Sequence, residues 1–414
     1  MRRSRRNMES IIEKANECLC CKLPMCRKGC PVATNIPEFI SNIKNGDIEK
    51  AYSILQENNI LSSICSRVCP SENQCMGSCI RGIKQNSVQI NTLERYVNDV
   101  AEEKNIKYNI EIKENIDKKV AIIGSGPAGI SCAYELLKKG YKTTIFEKEE
   151  KCGGILRYGI PDFRLDKSYI DAVIERLRKS SVKIRNNCEF EKDFSIKDLK
   201  EQGYDAIFLG IGATDAIKYS LGIDNKNILT SNDILYNYSI GKKLNLGKTV
   251  VIGGGNVAID TARTAKRMTN EDVYILYRRD RTCMPARDIE VEEALADDIK
   301  IIFNTKVLEA KESNGILKLI NCIKTKIEEG KVLDIPNSEF EMKVDNVVFA
   351  IGLKPTINLQ LEKENDIVKI DEYGKTSIEG VFAGGDLTET KSTVCKAIFA
   401  GKQAAEGIDK FLRR

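Results

Sequence analysis

Residues 120–129, Val-Ala-Ile-Ile-Gly-Ser-Gly-Pro-Ala-Gly, leave the backbone few choices. Four apolar residues, Val120 to Ile123, read as a short buried strand. Gly124, Gly126 and Gly129 follow with G-x-G-x-x-G spacing, and Pro127 and Ala128 complete the turn. A helical pattern from Ile130 to Lys139 stops at Gly140, and a second strand, Thr143 to Phe146, ends on Glu147. This is the unit that holds a dinucleotide. The glycines allow a tight turn and close backbone approach, the helix N-terminus faces the pyrophosphate, and the acid accepts hydrogen bonds from ribose hydroxyls. The alternative is a glycine-rich turn without a ligand. Lys148 follows the acid, and Gly153-Gly154-Ile155 open a loop (152–165) too apolar to face only solvent.

A second unit begins at Thr249. Val250-Val251-Ile252 reads as a strand, followed by Gly253, Gly255, Asn256, Val257 and Ala258 in a G-x-G-x-x-A turn. The next strand, Val273 to Tyr277, ends in Arg278-Arg279 where the first unit has an acid. Arginine accommodates the 2′-phosphate of NADP, whereas an acid favours the free hydroxyl of NAD. The alternative is that both arginines are surface solubilisers. Two units imply two dinucleotides, and with NADPH on the second, FAD is the simplest occupant of the first. Strands near 206–210 and at 347–352 and 380–387 carry further candidate contacts, Gly212, Gly352, Gly385 and Asp386. A helical pattern from Val394 to Leu412 ends the chain.

The sequence of 414 residues contains no histidine and 15 cysteines, nine of them between Cys18 and Cys79. The first count removes histidine acid–base chemistry and histidine metal sites. The second points to metal or cluster ligation. The runs are Cys18-x2-Cys21-x4-Cys26-x3-Cys30-Pro31 and Cys69-Pro70-x4-Cys75-x3-Cys79, with Cys20 and Cys65 as extra thiols. Short spacings closed by Cys-Pro are similar to two-cluster ferredoxins. Paired zinc knuckles are the alternative. Between the runs, Ile36 to Ile60 has helical periodicity and is expected to pack the two halves together. Residues 101–118 read as a charged linker. No apolar run approaches the ~20 residues of a membrane span. Met1-Arg2-Arg3-Ser4-Arg5-Arg6 lacks the apolar region of a signal peptide and reads as a solvated basic tail. A cytoplasmic protein is expected. The net charge of +5 is spread out, without the basic stripe of a nucleic-acid interface.

Together these residues resemble the glutamate synthase small-subunit family of FAD- and iron-sulfur-containing oxidoreductases. That family includes the large subunit of NADH-dependent ferredoxin:NADP oxidoreductase, an electron-bifurcating transhydrogenase, and the N-terminal half of dihydropyrimidine dehydrogenase. The resemblance runs from about Cys18 to the end. Its most specific stretches are residues 21–31, Arg157 to Leu165, Tyr277-Arg278-Arg279 with Met284-Pro285-Ala286, and Gly380 to Asp386. It implies two [4Fe-4S] clusters with crossed ligation. Cys18, Cys21, Cys26 and Cys79 would hold one; Cys30, Cys69, Cys75 and Glu94 would hold the other. Cys20 and Cys65 have no ligand role in that pattern. On the flavin side Gly126, Glu147, Gly154, Arg164 and Asp386 match family positions. Thr393 would begin the helix whose N-terminus faces the pyrimidine edge of the flavin.

The expected fold is α/β. A helical ferredoxin-like iron-sulfur domain (1–117) precedes two nested Rossmann-like domains, with the NADPH domain (245–365) inserted into the FAD domain (118–244 and 366–414). The expected function is electron transfer between NADP(H) and a partner subunit through FAD and the clusters. The partner would be a glutamate synthase large subunit. The Ser-Glu-Asn-Gln gap between Cys69 and Cys75 looks more like the transhydrogenase branch, whose partner is a flavin-containing small subunit. A redox sensor is the alternative of another class. Cys152-Gly153-Gly154 lacks the second cysteine of a disulfide reductase.

Overall fold

A computed structural model of the chain describes residues 2–389 and 393–414. It divides into two compact units. One holds the residues through Leu156, Arg164–Gly212 and those from Ile357 onward; the other holds Arg157–Phe163 and Ala213–Thr356.

The first unit begins with a helical module. Helices Arg2–Asn16, Ile36–Lys44, Ile48–Asn58 and Ile90–Glu103 enclose a core of Phe39, Ile40, Leu55, Leu93 and Val97. The basic N-terminus is not a tail from Arg2 onward, as expected from its charge; its backbone is helical because Ile11 and Ala15, one turn apart, bury into that core. Met1 lies outside the described residues. The periodic stretch from Ile36 to Ile60 is two helices. They break at Gly46, which takes a positive φ of 76°, and the second is capped by the Asp47 side chain accepting from the Lys50 amide. The charged stretch from 101 is helical to Glu103, and strand begins at Ile116.

The rest of this unit is a five-stranded parallel sheet in the order Val381–Ala383, Ala206–Leu209, Ile116–Ile123, Tyr141–Phe146, Lys183–Arg185. Residues 120–123, Ala206–Leu209 and Val381–Ala383 are apolar and buried because both faces of the sheet are covered there. Ile123 lies beside both Phe146 and Leu209, so the turns after these strands gather at one edge, the carboxyl edge where such sheets bind ligands. Helix Val394–Leu412 packs along helix Pro127–Lys139. A Cβ on Gly401 would stand 2.2 Å from the Ala128 carbonyl oxygen and 3.0 Å from the Cys132 nitrogen, so only glycine permits this crossing. Near the far end the Asp409 carboxylate accepts from Tyr141 Oη at 2.6 Å and from Lys139 Nζ at 2.8 Å.

The second unit repeats the parallel arrangement: Ile228–Thr230, Asn346–Phe349, Thr249–Ile252, Val273–Leu276, Lys300–Ile302. Residues 305–343, unassigned from the sequence, form an antiparallel sheet from Thr305–Ser313, Ile316–Glu328, Lys331–Asp334 and Phe340–Lys343. Leu317, Ile320 and Cys322 bury from it against Val250, Leu276 and Val347.

Gly401→Ala should lower stability by about 1–3 kcal/mol or more, because the added carbon meets backbone that cannot rotate away. The midpoint of chemical unfolding followed by far-UV circular dichroism measures this. An unchanged midpoint would show that the two helices part without cost.

Candidate functional site

The first glycine turn is shaped by backbone contact. Gly124 has a φ of 92°, and a Cβ there would stand 2.5 Å from the Gly210 oxygen. A Cβ on Gly129 would stand 2.0 Å from the Gly124 oxygen. Gly126 caps helix Pro127–Lys139 and has open space where a Cβ would be. The turn is therefore tight where it meets protein and open where the helix amides point, a cradle for a phosphate. Glu147 is buried at the end of the neighbouring strand. Its Oε2 accepts from the Ser125 amide at 3.0 Å and its Oε1 from the Glu149 amide at 3.0 Å. Gly153 donates to Ser125 Oγ at 2.9 Å, and a Cβ on Gly154 would stand 2.9 Å from Gly126 Cα. A Cβ on Gly385 would stand 3.1 Å from Ala128 Cβ, which puts the Gly385–Asp386 turn beside the same helix start. Ile155 opens a short helix, Ile155–Tyr158, and is partly exposed. Lys148 is exposed, and Arg164 and Asp386 are half-buried. Gly212 takes a φ of 75° with no neighbour within 4 Å of a Cβ. Thr393 caps helix Val394–Leu412.

In the second unit a Cβ on Gly253 would stand 2.3 Å from the Ala350 oxygen, and one on Gly254 would enter the Tyr277 ring at 2.4 Å. Gly255 caps helix Asn256–Met268 and is open. The Asn256 Oδ1 accepts from the Arg287 amide at 3.1 Å, and Gly254 accepts from the Ala286 amide at 3.1 Å. The Met-Pro-Ala loop is thereby tied to the turn. Val257 is exposed, Ala258 buried, and Gly352 takes a φ of 125°. Arg278 is exposed just past strand Val273–Leu276, and Arg279 is half-buried. Their carbonyls accept from Thr325 Oγ1 at 2.9 Å and the Asn304 amide at 3.0 Å. Thr325 lies on the antiparallel sheet, whose place beside the arginine pair has no signal in sequence spacing.

The thiols form two groups. Cys18, Cys21, Cys26 and Cys79 line one cavity with Pro24, Ile36, Ile40, Val88 and Ile90. Burial, and then the neighbouring Cys79, Cys18 and Cys21, push the Cys26 thiol up to about 11. Cys30, Cys75 and Glu94 face one another. Burial raises both thiols, and the Glu94 carboxylate raises them further. Burial pushes Glu94 itself up to about 8, helped by Cys395 and opposed by Arg67. Cys69 joins this group through Cys395 and Cys65, contacts that raise its thiol well above the ordinary range. Cys20 is exposed, with its Sγ 3.7 Å from Lys44 Nζ, and does not line the cavity.

Among the described residues, no three such groups converge on a point that a single metal ion would occupy. Thiols spaced around a cavity in a largely apolar wall fit the wider body of an iron-sulfide cube. Ligation removes the protons that burial holds on the isolated thiols.

Two neighbours of this site escape sequence reasoning. Cys395 stands in the first turn of the last helix, with its Sγ 3.2 Å from Gln74 Oε1; a partner more than 300 positions away leaves no motif. Arg67 stacks on Tyr169, 3.8 Å from the ring centroid, and pairs with Asp99. It ties the helical module to the sheet's helix Ser168–Lys179.

Comparison with known proteins agrees with these features. Residues 118–404 match the family described as pyridine nucleotide-disulphide oxidoreductase, and residues 2–106 match dihydropyrimidine dehydrogenase domain II, 4Fe-4S cluster. The small chain of NADPH glutamate synthase from Azospirillum brasilense is 31% identical, over 98% of this chain and 90% of that one. The Escherichia coli relative AegA is 32% identical over 96% of this chain, which spans only 65% of that longer protein. The structure of Mycobacterium tuberculosis FprA in complex with NADPH has a TM-score of 0.61 at 17% identity, covering 72% of this chain and 85% of that one, a likeness of fold. The chain belongs to the pyridine nucleotide-disulphide oxidoreductase family, in the glutamate synthase small-chain branch that joins this fold to a 4Fe-4S domain, and is an oxidoreductase whose cofactors are FAD, a nicotinamide dinucleotide and iron-sulfur clusters.

Proposed function

We propose that the chain carries electrons between NADP(H) and a redox centre on a second polypeptide. The observation that carries this reading is the packing of the second thiol group on the flavin side of the same unit. Cys395 Sγ donates to Gln74 Oε1 at 3.2 Å, and Gln74 Nε2 lies 3.5 Å from Thr393 Oγ1, at the start of helix Val394–Leu412. When bound, FAD exchanges a hydride with the nicotinamide, and the clusters take electrons one at a time.

The chain's own residues bind and orient. The turn at Gly124, Gly126 and Gly129 with Glu147 holds the FAD pyrophosphate and ribose. The Gly253–Ala258 turn holds NADPH, and Arg278 donates to its 2′-phosphate. Cys18, Cys21, Cys26 and Cys79 ligate one cluster; Cys30, Cys69, Cys75 and Glu94 ligate the other. No side chain need move a proton for hydride transfer, so a sequence without histidine is competent. The thiols must stay reduced to bind iron, which supports a cytoplasmic place of action.

The relative's name, small chain, supports a larger partner of the glutamate synthase type. So does the surface around the first thiol group. Leu19, Leu23, Met25, Ile80 and Ile83 are exposed there, with Lys22, Arg27, Lys28 and Lys84 exposed among them. An apolar patch with a basic rim fits a protein face that is apolar at its centre and acidic around it.

Three measurements test this reading. Anaerobically purified chain should contain about eight irons and eight labile sulfides, and NADPH should bleach its flavin; zinc without sulfide would sink the ligand assignment. Arg278→Ala should weaken NADPH binding by about 10- to 100-fold and leave NADH nearly unchanged, because one or more charge-assisted hydrogen bonds are lost. Equal losses for both nucleotides would remove Arg278 from the 2′-phosphate. Leu23→Asp and Ile83→Asp should each lower partner-dependent turnover at least tenfold, roughly the weight of a buried apolar contact, while reduction of a small artificial acceptor by NADPH continues. Undiminished turnover with the partner would place docking elsewhere.

A further inference from the structure

The run that follows strand Val273–Leu276 is held by its carbonyls. The Thr305 amide donates to the Tyr277 oxygen at 3.0 Å, Thr325 Oγ1 donates to the Arg278 oxygen at 2.9 Å, and the Asn304 amide donates to the Arg279 oxygen at 3.0 Å. Two of these donors are backbone amides, which any residue except proline offers. The third is a side chain. Of the three, only the hold on the Arg278 carbonyl depends on which amino acid stands opposite.

Thr325 is 3% exposed and lies in strand Ile316–Glu328 of the antiparallel sheet. Its amide donates to the Asn304 oxygen at 2.9 Å. Asn304, with a φ of 51°, lies in the turn between strands Lys300–Ile302 and Thr305–Ser313. Thr325 thus holds this turn with its backbone and Arg278 with its hydroxyl. Threonine suits the place, because β-branching leaves χ1 few choices and keeps the hydroxyl where it is.

A side chain leaves the backbone in a direction set by the two peptide planes that meet at its Cα. For Arg278 those planes carry the Tyr277 and Arg278 carbonyls. Thr305 pins the first and Thr325 the second. Arg278 itself is exposed, and among the described residues no carboxylate pairs with it. No ion pair steers the guanidinium, so its aim is left to the backbone. A small rotation at the Cα is magnified along the side chain, whereas a hydrogen bond has a narrow range of length and angle.

We propose that Thr325 is the positioning residue that makes the second unit prefer NADPH to NADH: its hydroxyl fixes the peptide after Arg278 and so aims the guanidinium at the 2′-phosphate. The inference rests on the reading that Arg278 takes that phosphate. Thr325 acts through Arg278 and not on the nucleotide. Ordering the arginine before binding lowers the cost of association. Only a nucleotide with a 2′-phosphate gains from that order.

The test uses the full chain with FAD bound, as wild type, Thr325→Val, Thr325→Ser, Arg278→Ala and the double variant Thr325→Val with Arg278→Ala. Binding of NADP+ and NAD+ is measured by isothermal titration calorimetry, with the oxidised nucleotides so that no electrons pass to the flavin. FAD content and far-UV circular dichroism report the fold. Thr325→Val should raise the dissociation constant for NADP+ about three- to tenfold, the weight of one neutral hydrogen bond, and leave that for NAD+ unchanged. Thr325→Ser, which keeps the hydroxyl, should bind both as the wild type does. In the Arg278→Ala background Thr325→Val should cost nothing further for NADP+, because residues that act as one unit are not additive. Unchanged NADP+ binding in Thr325→Val overturns the inference. So does an equal loss for both nucleotides, or an undiminished loss in the double variant. Thr325→Ala, which lacks the hydroxyl and adds no methyl in its place, makes the same comparison if Thr325→Val does not fold. Failure of both to fold overturns the inference in favour of a hydroxyl that holds the sheet itself. An Arg278→Ala protein that weakens both nucleotides alike overturns the reading of Arg278 and this inference together, whereas a selective loss in Arg278→Ala with none in Thr325→Val overturns this inference alone.

Discussion

Two helices pressed together until only a hydrogen atom fits between their backbones hold the first unit in shape. Gly401 in the last helix faces the Ala128 carbonyl and the Cys132 amide of the helix that begins at the glycine turn. From that contact the last helix reaches in two directions. Towards its N-terminus it carries Cys395 to Gln74. Towards its C-terminus Asp409 is bound by Lys139 and Tyr141, and these hydrogen bonds outweigh burial and hold its carboxyl down at about 2. Buried charge of this kind is stabilising only while all its partners stay in place. The first glycine turn and the second thiol group are therefore registered against one another by the same helix.

The helical module is fixed to this frame by polar anchors as well as apolar contact. Arg67 stacks on Tyr169, Arg176 donates to Tyr52 Oη at 2.7 Å, and Tyr134 Oη donates to the Gln56 carbonyl at 2.9 Å. Arginine suits this task because its planar head can stack and donate at once. Electron transfer needs donor and acceptor at a constant separation, and these anchors supply the constancy inside the unit.

What could be read from the sequence followed from local rules. The two glycine turns, the acid after one and the arginines after the other lie within short stretches where spacing determines geometry, and each stands where expected. The cysteine runs were equally legible, and one set of four lines a common cavity. The misses were of longer range. The N-terminal charges masked the apolar pair Ile11 and Ala15 that makes a helix there. Gly46 and Asp47 split what periodicity joined. The antiparallel strands of 305–343 mix exposed and buried positions irregularly, as at Ile316–Glu328, so alternation was weak. Cys395 had no neighbour in sequence to mark it. Its surroundings arise only when residues 69, 74 and 395 meet.

The sheet of the first unit ends in strand Val381–Ala383, which pairs with Ala206–Leu209 across more than 170 intervening residues. A ribosome releases the chain from its N-terminus, and domains close as their parts emerge. The thiols from Cys18 to Cys79 are all out before the first glycine turn is made, so the cavity lined by Cys18, Cys21, Cys26 and Cys79 can form on a chain still being translated. Cys30, Cys69, Cys75 and Glu94 are also made early, yet Cys395, which meets Gln74 beside them, arrives only near the end of synthesis. The second thiol group is thus without the last helix for most of the time the chain is on the ribosome.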